Sequence, residues 1–317
     1  MKTAVITGAS NGIGLATALA LGRKGFWLAL VCRNKVRAEK VLHSLFRECP
    51  DAKVDIFLAD LAVQGNIRRL VRDLQSELPG IDVLIHNAGV FCPDRAESAD
   101  GIELTWAVNH LAPFLLTDLL FEHLLIGGPA RVIVVSSAAH RLGQINFADP
   151  ELHSGYGMMK AYCQSKLANV MFTFALARRF AGSPVTANCL HPGTVRTGLG
   201  NRAKGLLVAL GHLISPILRS PEKGAENSVY LATSPEVEGV TGKYFESCRV
   251  SRSSTSSLDE EAQERLWELS AQTVGVRYSA PVGVRFDGST ADGSTQSSDR
   301  SSLSIQSSLS NGSEERA

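Results

Sequence analysis

The chain has 317 residues, 44% of them hydrophobic, with 32 Lys+Arg balanced against 31 Asp+Glu for a formal charge of +1. That balance gives no reason to expect a polyanionic partner, so nucleic acid is excluded. Six cysteines, Cys32, Cys49, Cys92, Cys163, Cys189 and Cys248, are scattered with no CxxC pair. They read as reduced packing thiols of an intracellular protein rather than as a disulfide framework or a zinc site.

In chain order, short apolar strands are expected at Thr3–Thr7, Trp27–Cys32, Val54–Leu58, Val83–His86, Arg131–Ser136 and Val185–Leu190, alternating with amphipathic helical stretches. This alternation predicts an α/β fold with a doubly wound, parallel, Rossmann-type sheet. Near-continuous runs such as VLIH and RVIVVSS suit central strands covered on both faces. A strand that starts almost at the first residue leads us to expect neither a signal peptide nor an N-terminal membrane span, and therefore a cytoplasmic protein. The apolar stretch from Gly205 to Ser215 is too short to cross a bilayer and reads as buried or interfacial. Peripheral membrane contact stays open. We expect one domain over residues 1–275 and a Ser-rich, disordered tail over 276–317, which has too few large apolar residues to offset the entropy of ordering it.

The first strand runs into Thr7-Gly8-Ala9-Ser10-Asn11-Gly12-Ile13-Gly14 and then a helix of small and apolar residues. Glycines at such a junction let the backbone turn sharply, approach a pyrophosphate and offer free amides at a helix N-terminus. A glycine-rich turn alone is as often structural, and only the strand before and helix after raise its weight. At the end of the second strand an NAD site would place an acidic residue on the ribose, yet none occurs from Leu28 to Ala38. Arg33 stands there, with Lys35 and Arg37 near, which suits the 2′-phosphate of NADP(H); the competing reading is a solvated loop cation.

The glycine spacing, the run His86-Asn87-Ala88-Gly89 and a Tyr-x-x-x-Lys pair together resemble the short-chain dehydrogenases/reductases over roughly Thr3 to Leu269. The stretches VNHLAPFLLTDLL, VVSSAAHRLGQINF and YCQSKLANVMFTFALARRF are most similar to the retinol dehydrogenase branch. The resemblance implies that Gly8, Ser10, Asn11, Gly12, Ile13 and Gly14 cradle the cofactor. It also implies that Asp60 and Leu61 meet the adenine and that Asn87, Ala88 and Gly89 line the ribose side. It further implies that Asn109 holds a water of a proton relay, that Ser137 orients the reacting oxygen, and that Pro192, Gly193, Val195 and Thr197 seat the nicotinamide. Tyr162 and Lys166 would supply the acid/base chemistry and also touch the cofactor.

Reducing a carbonyl needs a hydride on carbon and a proton on oxygen, and a phenol beside that oxygen can provide the proton. A free Tyr, with pKa ~10, is only about one part in a thousand phenolate at pH 7. An ammonium about 4–5 Å away, at an effective dielectric near 20, would lower that pKa by ~2–3, and Lys166 follows Tyr162 by one helical turn. Tyr156 and Lys160 form a second such pair. Gly155 and Gly157 flank Tyr156 and weaken a helix there, so Tyr162 is preferred. No metal is required, since His140, His191 and the other histidines show no ligand spacing.

Two other readings are weighed. A nucleotide-sensing binder with the same fold would not need Asn109, Ser137, Tyr162 and Lys166 together. A hydrolase built on Ser137 lacks the G-x-S-x-G elbow. The segment GLLVALGHLISPIL suggests either a cover for a lipophilic alcohol or aldehyde or a plain packing helix. The apolar surplus in ANVMFTFALARRF suggests a homodimer face.

Overall fold

The computed structural model describes residues 1–126, 128–193 and 220–276. Eight strands form one sheet in the order β3-β2-β1-β4-β5-β6-β7-β8. They are β1 Thr3–Thr7, β2 Trp27–Cys32, β3 Val54–Leu58, β4 Val83–His86, β5 Arg131–Val135, β6 Thr186–His191, β7 Lys243–Glu246 and β8 Arg249–Ser251. All pairs are parallel except β7 with β8. The chain order reverses direction between β1 and β4, and the loops after both strands open at the same edge. Ligands of such sheets bind at that crevice.

Strand periodicity feeds two separate cores. Val5, Leu84, Val132 and Val134 point to one face, and Ala4, Ile6, Val83, Ile85, Ile133 and Val135 to the other. The second face is covered by α1 Gly12–Gly22, α2 Lys35–Glu48 and α6 Pro221–Thr233, through Leu21, Leu45 and Leu231. The first is covered by α3 Gln64–Glu77, α4 Leu104–Ile126, α5 Met158–Arg179 and α7 Glu260–Val274. Helix α4 is long and apolar enough to span a membrane by composition, but 83% of that stretch is buried inside the protein, which makes it a core helix.

The apolar surplus of α5 has an internal cause. Fifteen of its residues from Ala161 to Ala177 are buried, because the sheet lies on one side and α7 on another. Trp267 of α7 packs edge-on to Phe114 at 4.7 Å and stacks on Phe172 at 5.8 Å, and Arg178 and Arg179 pair with Glu264. The surplus is used within the chain, so it gives no support to a homodimer on this helix. All six cysteines are free thiols, five of them buried. The segment Gly205 to Ser215, the stretch GLLVALGHLISPIL and the Ser-rich tail lie outside the described residues.

Candidate active site

The glycine loop is held by β4. Thr7 Oγ1 donates to Ile85 O (3.2 Å) and accepts from the amides of Asn87 (3.0 Å) and Ala88 (3.1 Å). Asn87 Nδ2 donates to Thr7 O (2.9 Å) and Gly8 O (3.2 Å). This side chain therefore clasps the loop to β4. The close fit dictates the glycines. Gly8 has φ +67°, and a Cβ there would stand 2.7 Å from Ala88 Cα. A Cβ on Gly14 would stand 2.5 Å from both Asn87 Nδ2 and Gly8 O.

Helix α1 starts at Gly12 after an extended Asn11 that makes no side-chain cap, and its first turn carries no acid. The first-turn amides of Gly12, Ile13 and Gly14 have no side-chain partner among the described residues, and a helix N-terminus of this kind favours an anion. Ser10 is half-buried at the same turn. Arg33 is exposed at the C-terminal end of β2, the strand beside β1, and has no ion-pair partner among the described residues. Asp60 Oδ1 accepts from the Ala62 amide at 3.0 Å, whereas the Leu61 side chain is buried in the core. Only Leu61's backbone is left to face a ligand. These features fit an adenine dinucleotide: a cradle that a Cβ would fill, unspent helix amides and an unpaired guanidinium.

Across the crevice, Ser137 follows β5 and its Oγ accepts from the Ala139 amide at 3.2 Å. The Ser137 hydroxyl proton remains available, and Ser137 lies near enough to the Tyr162 phenol to act on its pKa. Tyr162 sits in the second turn of α5 with Phe91 edge-on to its ring at 5.0 Å. Lys166, one turn later, is 5% exposed; its Nζ donates to Val135 O at 2.9 Å and lies 5.7 Å from the Tyr162 ring centre. Burial pulls Lys166 down to about 8. Burial also pushes the Tyr162 phenol above its ordinary value, with the neighbouring Ser137 opposing. The Lys166 ammonium lies over the Tyr162 ring and also faces Val135 O and Gly89, its Nζ 3.7 Å from where a Gly89 Cβ would be. Val135 O takes one of three ammonium protons, and buried donors of this strength call for further acceptors.

Asn109 is fully buried in a π-helical insert, Ala107–Leu111, within α4. Its Oδ1 accepts from Val90 N (2.7 Å), and its Nδ2 donates to Val90 O (3.0 Å) and Ser165 Oγ (3.0 Å). The side chain braces the loop after β4 against α5, so a water relay would fall to its main chain, where a π-insert interrupts the regular ladder. Tyr156 lies before α5 starts, and its hydroxyl donates to Cys92 O at 2.8 Å while Lys160 is exposed. That second Tyr/Lys pair does not come together. Pro192 and Gly193, with φ +84° at Gly193, follow β6 at the same edge; Val195 and Thr197 lie outside the described residues.

Several supports carry no sequence signal. Ser136 Oγ donates to Lys166 O at 2.8 Å. Gly143 lets the loop after Ser137 touch α5, since a Cβ there would stand 2.4 Å from Cys163 O. His140 Nε2 accepts from the Ser254 amide at 3.0 Å, so its other nitrogen carries the proton and donates to Ser137 O at 2.7 Å. Only the fold shows that these groups meet.

The family model for short chain dehydrogenases matches residues 2–205. Retinol dehydrogenase 14 of Mus musculus is 41% identical over 288 residues, covering 87% of this chain and 86% of that protein. Retinol dehydrogenase 13 of Homo sapiens is 40% identical, covering 87% and 85%. Dehydrogenase/reductase SDR family member 13 of Bos taurus is 38% identical, covering 87% and 74%. Among solved structures, an uncharacterised protein from Mycobacterium paratuberculosis superposes with a TM-score of 0.72 at 30% identity, covering 88% of this chain and 95% of that one. A dehydrogenase/reductase from Sinorhizobium meliloti gives 0.59 at 27%, covering 77% and 92%. The glycine cradle, the Ser137–Tyr162–Lys166 cluster and these matches place the chain in the short-chain dehydrogenase/reductase family of nicotinamide-dependent oxidoreductases, in its retinol dehydrogenase-like branch.

Proposed function

We propose that this protein interconverts a lipophilic, retinoid-like alcohol and its aldehyde or ketone with NADP(H), using Tyr162 as the proton donor and acceptor. The observation that carries this reading is the placement of Tyr162 one helical turn before the buried Lys166 on α5, with Ser137 directly after β5. Preference for NADP(H) rests on Arg33 and on the absence of any acid between Leu28 and Ala38. The lipophilic substrate rests on the retinol dehydrogenase relatives and on two apolar side chains near the cluster in sequence, Leu142 (79% exposed) and Met159 (51% exposed).

The nicotinamide, when bound, supplies or accepts the hydride. The residues that would hold it are the Gly8–Gly14 turn, Arg33, Asp60, Ala88 and Gly89, with Pro192 and Gly193 at the far side. In the reducing direction Tyr162 gives its proton to the carbonyl oxygen as negative charge grows there, and Ser137 donates to the same oxygen or to the phenolate left behind. A phenol held above its ordinary pKa by burial keeps its proton until that charge develops. Lys166 turns its remaining ammonium protons toward Gly89, where a ribose would lie. Asn109 fixes the spacing between the β4 loop and α5 on which the arrangement depends.

Replacing Tyr162 by Phe tests the assignment. Single-turnover NADPH oxidation with retinal should fall by about a hundredfold to ten-thousandfold while NADPH binding survives, and Tyr156→Phe should stay within about threefold of wild type. Retained turnover in Tyr162→Phe would refute the role. Normal NADPH binding with no turnover of any carbonyl by wild type would point to a sensor.

A further inference from the structure

The chain leaving Ser137 forms a short turn, Ala138–Leu142, whose central residue His140 is fully buried. Both nitrogens of a buried imidazole need partners. Nδ1 lies 2.7 Å from Ser137 O, an atom that can only accept, and Nε2 lies 3.0 Å from Ser254 N, an amide that can only donate. One protonation state satisfies both: a neutral ring with its proton on Nδ1. The other tautomer would set two acceptors against each other at Ser137 O and two donors at Ser254 N. An imidazolium would still oppose the Ser254 amide. Burial, with Arg141 alongside, disfavours that charged form against the pull of Ser137 O and Glu246.

The two partners of this ring come from distant parts of the chain. Ser137 borders the reacting cluster, whereas Ser254 lies between β8 and α7, 114 residues beyond His140. The Ser254 segment is itself anchored. Its carbonyl accepts from the Ser257 amide at 3.0 Å, and Ser257 O accepts from Nε2 of the buried Gln263 of α7 at 2.7 Å. From the side, Tyr244 of β7 packs 4.7 Å from the His140 ring. The Tyr244 hydroxyl and Arg141 both bond to Glu246, at 3.0 Å and 2.9 Å. Ser137 is thus gripped twice, at its carbonyl by the His140 ring and at its Oγ by the Ala139 amide.

We infer that His140 is a positioning residue: the Ser254 amide fixes its Nδ1–H tautomer, and that N–H fixes the Ser137 peptide and with it the direction of the Ser137 hydroxyl. The segment between β8 and α7 thereby becomes part of what orients the reacting oxygen. The inference rests on the roles assigned above to Ser137 and Tyr162.

Heteronuclear NMR of the histidine ring nitrogens in the full chain reads the tautomer without any turnover. His140 should carry its proton on Nδ1 in the wild type, and Ser254→Pro should mix the tautomers or reverse the preference. That substitution removes the amide proton in question and little else: Ser254 has φ −69°, which proline adopts, and its buried Oγ makes no hydrogen bond. Kinetics then separate positioning from stability. His140→Asn keeps a side-chain N–H near the place of Nδ1 and gives up the bond to Ser254; His140→Leu gives up both. Single-turnover NADPH oxidation with retinal should fall about tenfold or more in His140→Leu and stay within about threefold in His140→Asn, although both variants melt earlier. NADPH affinity should hold in both. Ser254→Pro should slow the wild type about threefold or more and cost nothing further beside His140→Asn, since an asparagine has no tautomer to set. The inference is overturned if the wild-type ring carries its proton on Nε2, or if His140→Asn loses as much turnover as His140→Leu. Equal losses from Ser254→Pro in both backgrounds would overturn it too. A Tyr162→Phe variant as active as wild type would instead defeat the reading of the site and leave the tautomer result standing.

Discussion

The Ser136 hydroxyl donates a 2.8 Å hydrogen bond to the carbonyl of Lys166, while Lys166 Nζ donates a 2.9 Å bond to Val135 O. Two consecutive residues at the end of β5 therefore hold Lys166 by its backbone and by its side chain. Ser136→Ala should remove about 1 kcal/mol of stability, the usual worth of one buried hydrogen bond. It should also lower turnover about threefold or more, because α5 is then free to shift against β5 and a small misplacement of a reacting group is costly. Denaturant melts and NADPH oxidation on the same preparation check this. A stability loss with unchanged turnover would make the bond purely structural.

Lys166 also gives the cofactor step a pH signature. Burial lowers its pKa from 10.5 to about 8, so the ammonium is present below pH 8 and lost as pH rises through it. If the charged form holds the cofactor, NADPH affinity should fall about tenfold per pH unit above 8. Folding runs the other way. Between pH 8 and 10.5 the unfolded chain binds more protons at this lysine, so its contribution to stability rises with pH over the same interval. Fluorescence titrations of NADPH from pH 7 to 9.5 should show the loss in wild type and not in Lys166→Met. A flat wild-type profile would remove Lys166 from cofactor contact.

The sequence was legible where local pattern and fold agree, as in β1, β2 and β4, whose apolar runs are buried on both faces. It was silent on β7 and β8. Their turn uses Ser247 (φ 50°) and Cys248 (φ 59°), where such a hairpin ordinarily advertises itself with Asn-Gly, and four- and three-residue strands give too little alternation to see. The site's chemistry was legible through Tyr162 and Lys166, but the direction of the ammonium was not. Sequence spacing puts the two on one helix face; only the fold shows that Nζ also bonds to Val135 O. Likewise, Asn87 and Asn109 could be picked out by motif, but not their duty as braces for Gly8 and Val90. The surplus of apolar residues on α5 could not reveal its cover, because α7 lies some ninety residues further along the chain.

Cofactor preference should rest on Arg33. No acid shares the end of β2, and the guanidinium is exposed without an ion-pair partner among the described residues, so its charge is available to a 2′-phosphate. Arg33→Ala should raise the Michaelis constant for NADPH about tenfold, equivalent to ~1.4 kcal/mol, and leave that for NADH within about twofold. Equal losses with both cofactors would mean that Arg33 acts only on the loop. A wild-type preference for NADH would defeat the 2′-phosphate argument altogether.

Acid sensitivity should come from two histidines on the α4 side of the sheet. His86 pairs through Nε2 with Thr117 Oγ1 at 2.7 Å, and His110 through Nε2 with Ser270 Oγ at 2.8 Å; both are almost fully buried. Burial pushes each from 6.5 down to about 3. With folded values below the unfolded ones, the stability they contribute is complete above pH 6.5 and is lost as pH falls from there toward 3. At pH 5 each forfeits about 2 kcal/mol, a large part of a typical total of roughly 5–15 kcal/mol. His110→Phe isolates one of the two. The ring would remain among Trp106, Phe114 and Phe172, and Ser270 keeps its bond to Leu266 O, so packing changes little at pH 7.5. Urea melts at pH 7.5 and pH 5 should show a smaller acid loss in the variant than in wild type, by about 2 kcal/mol. Identical losses would mean that His110 already carries its proton in the fold, against the burial that surrounds it.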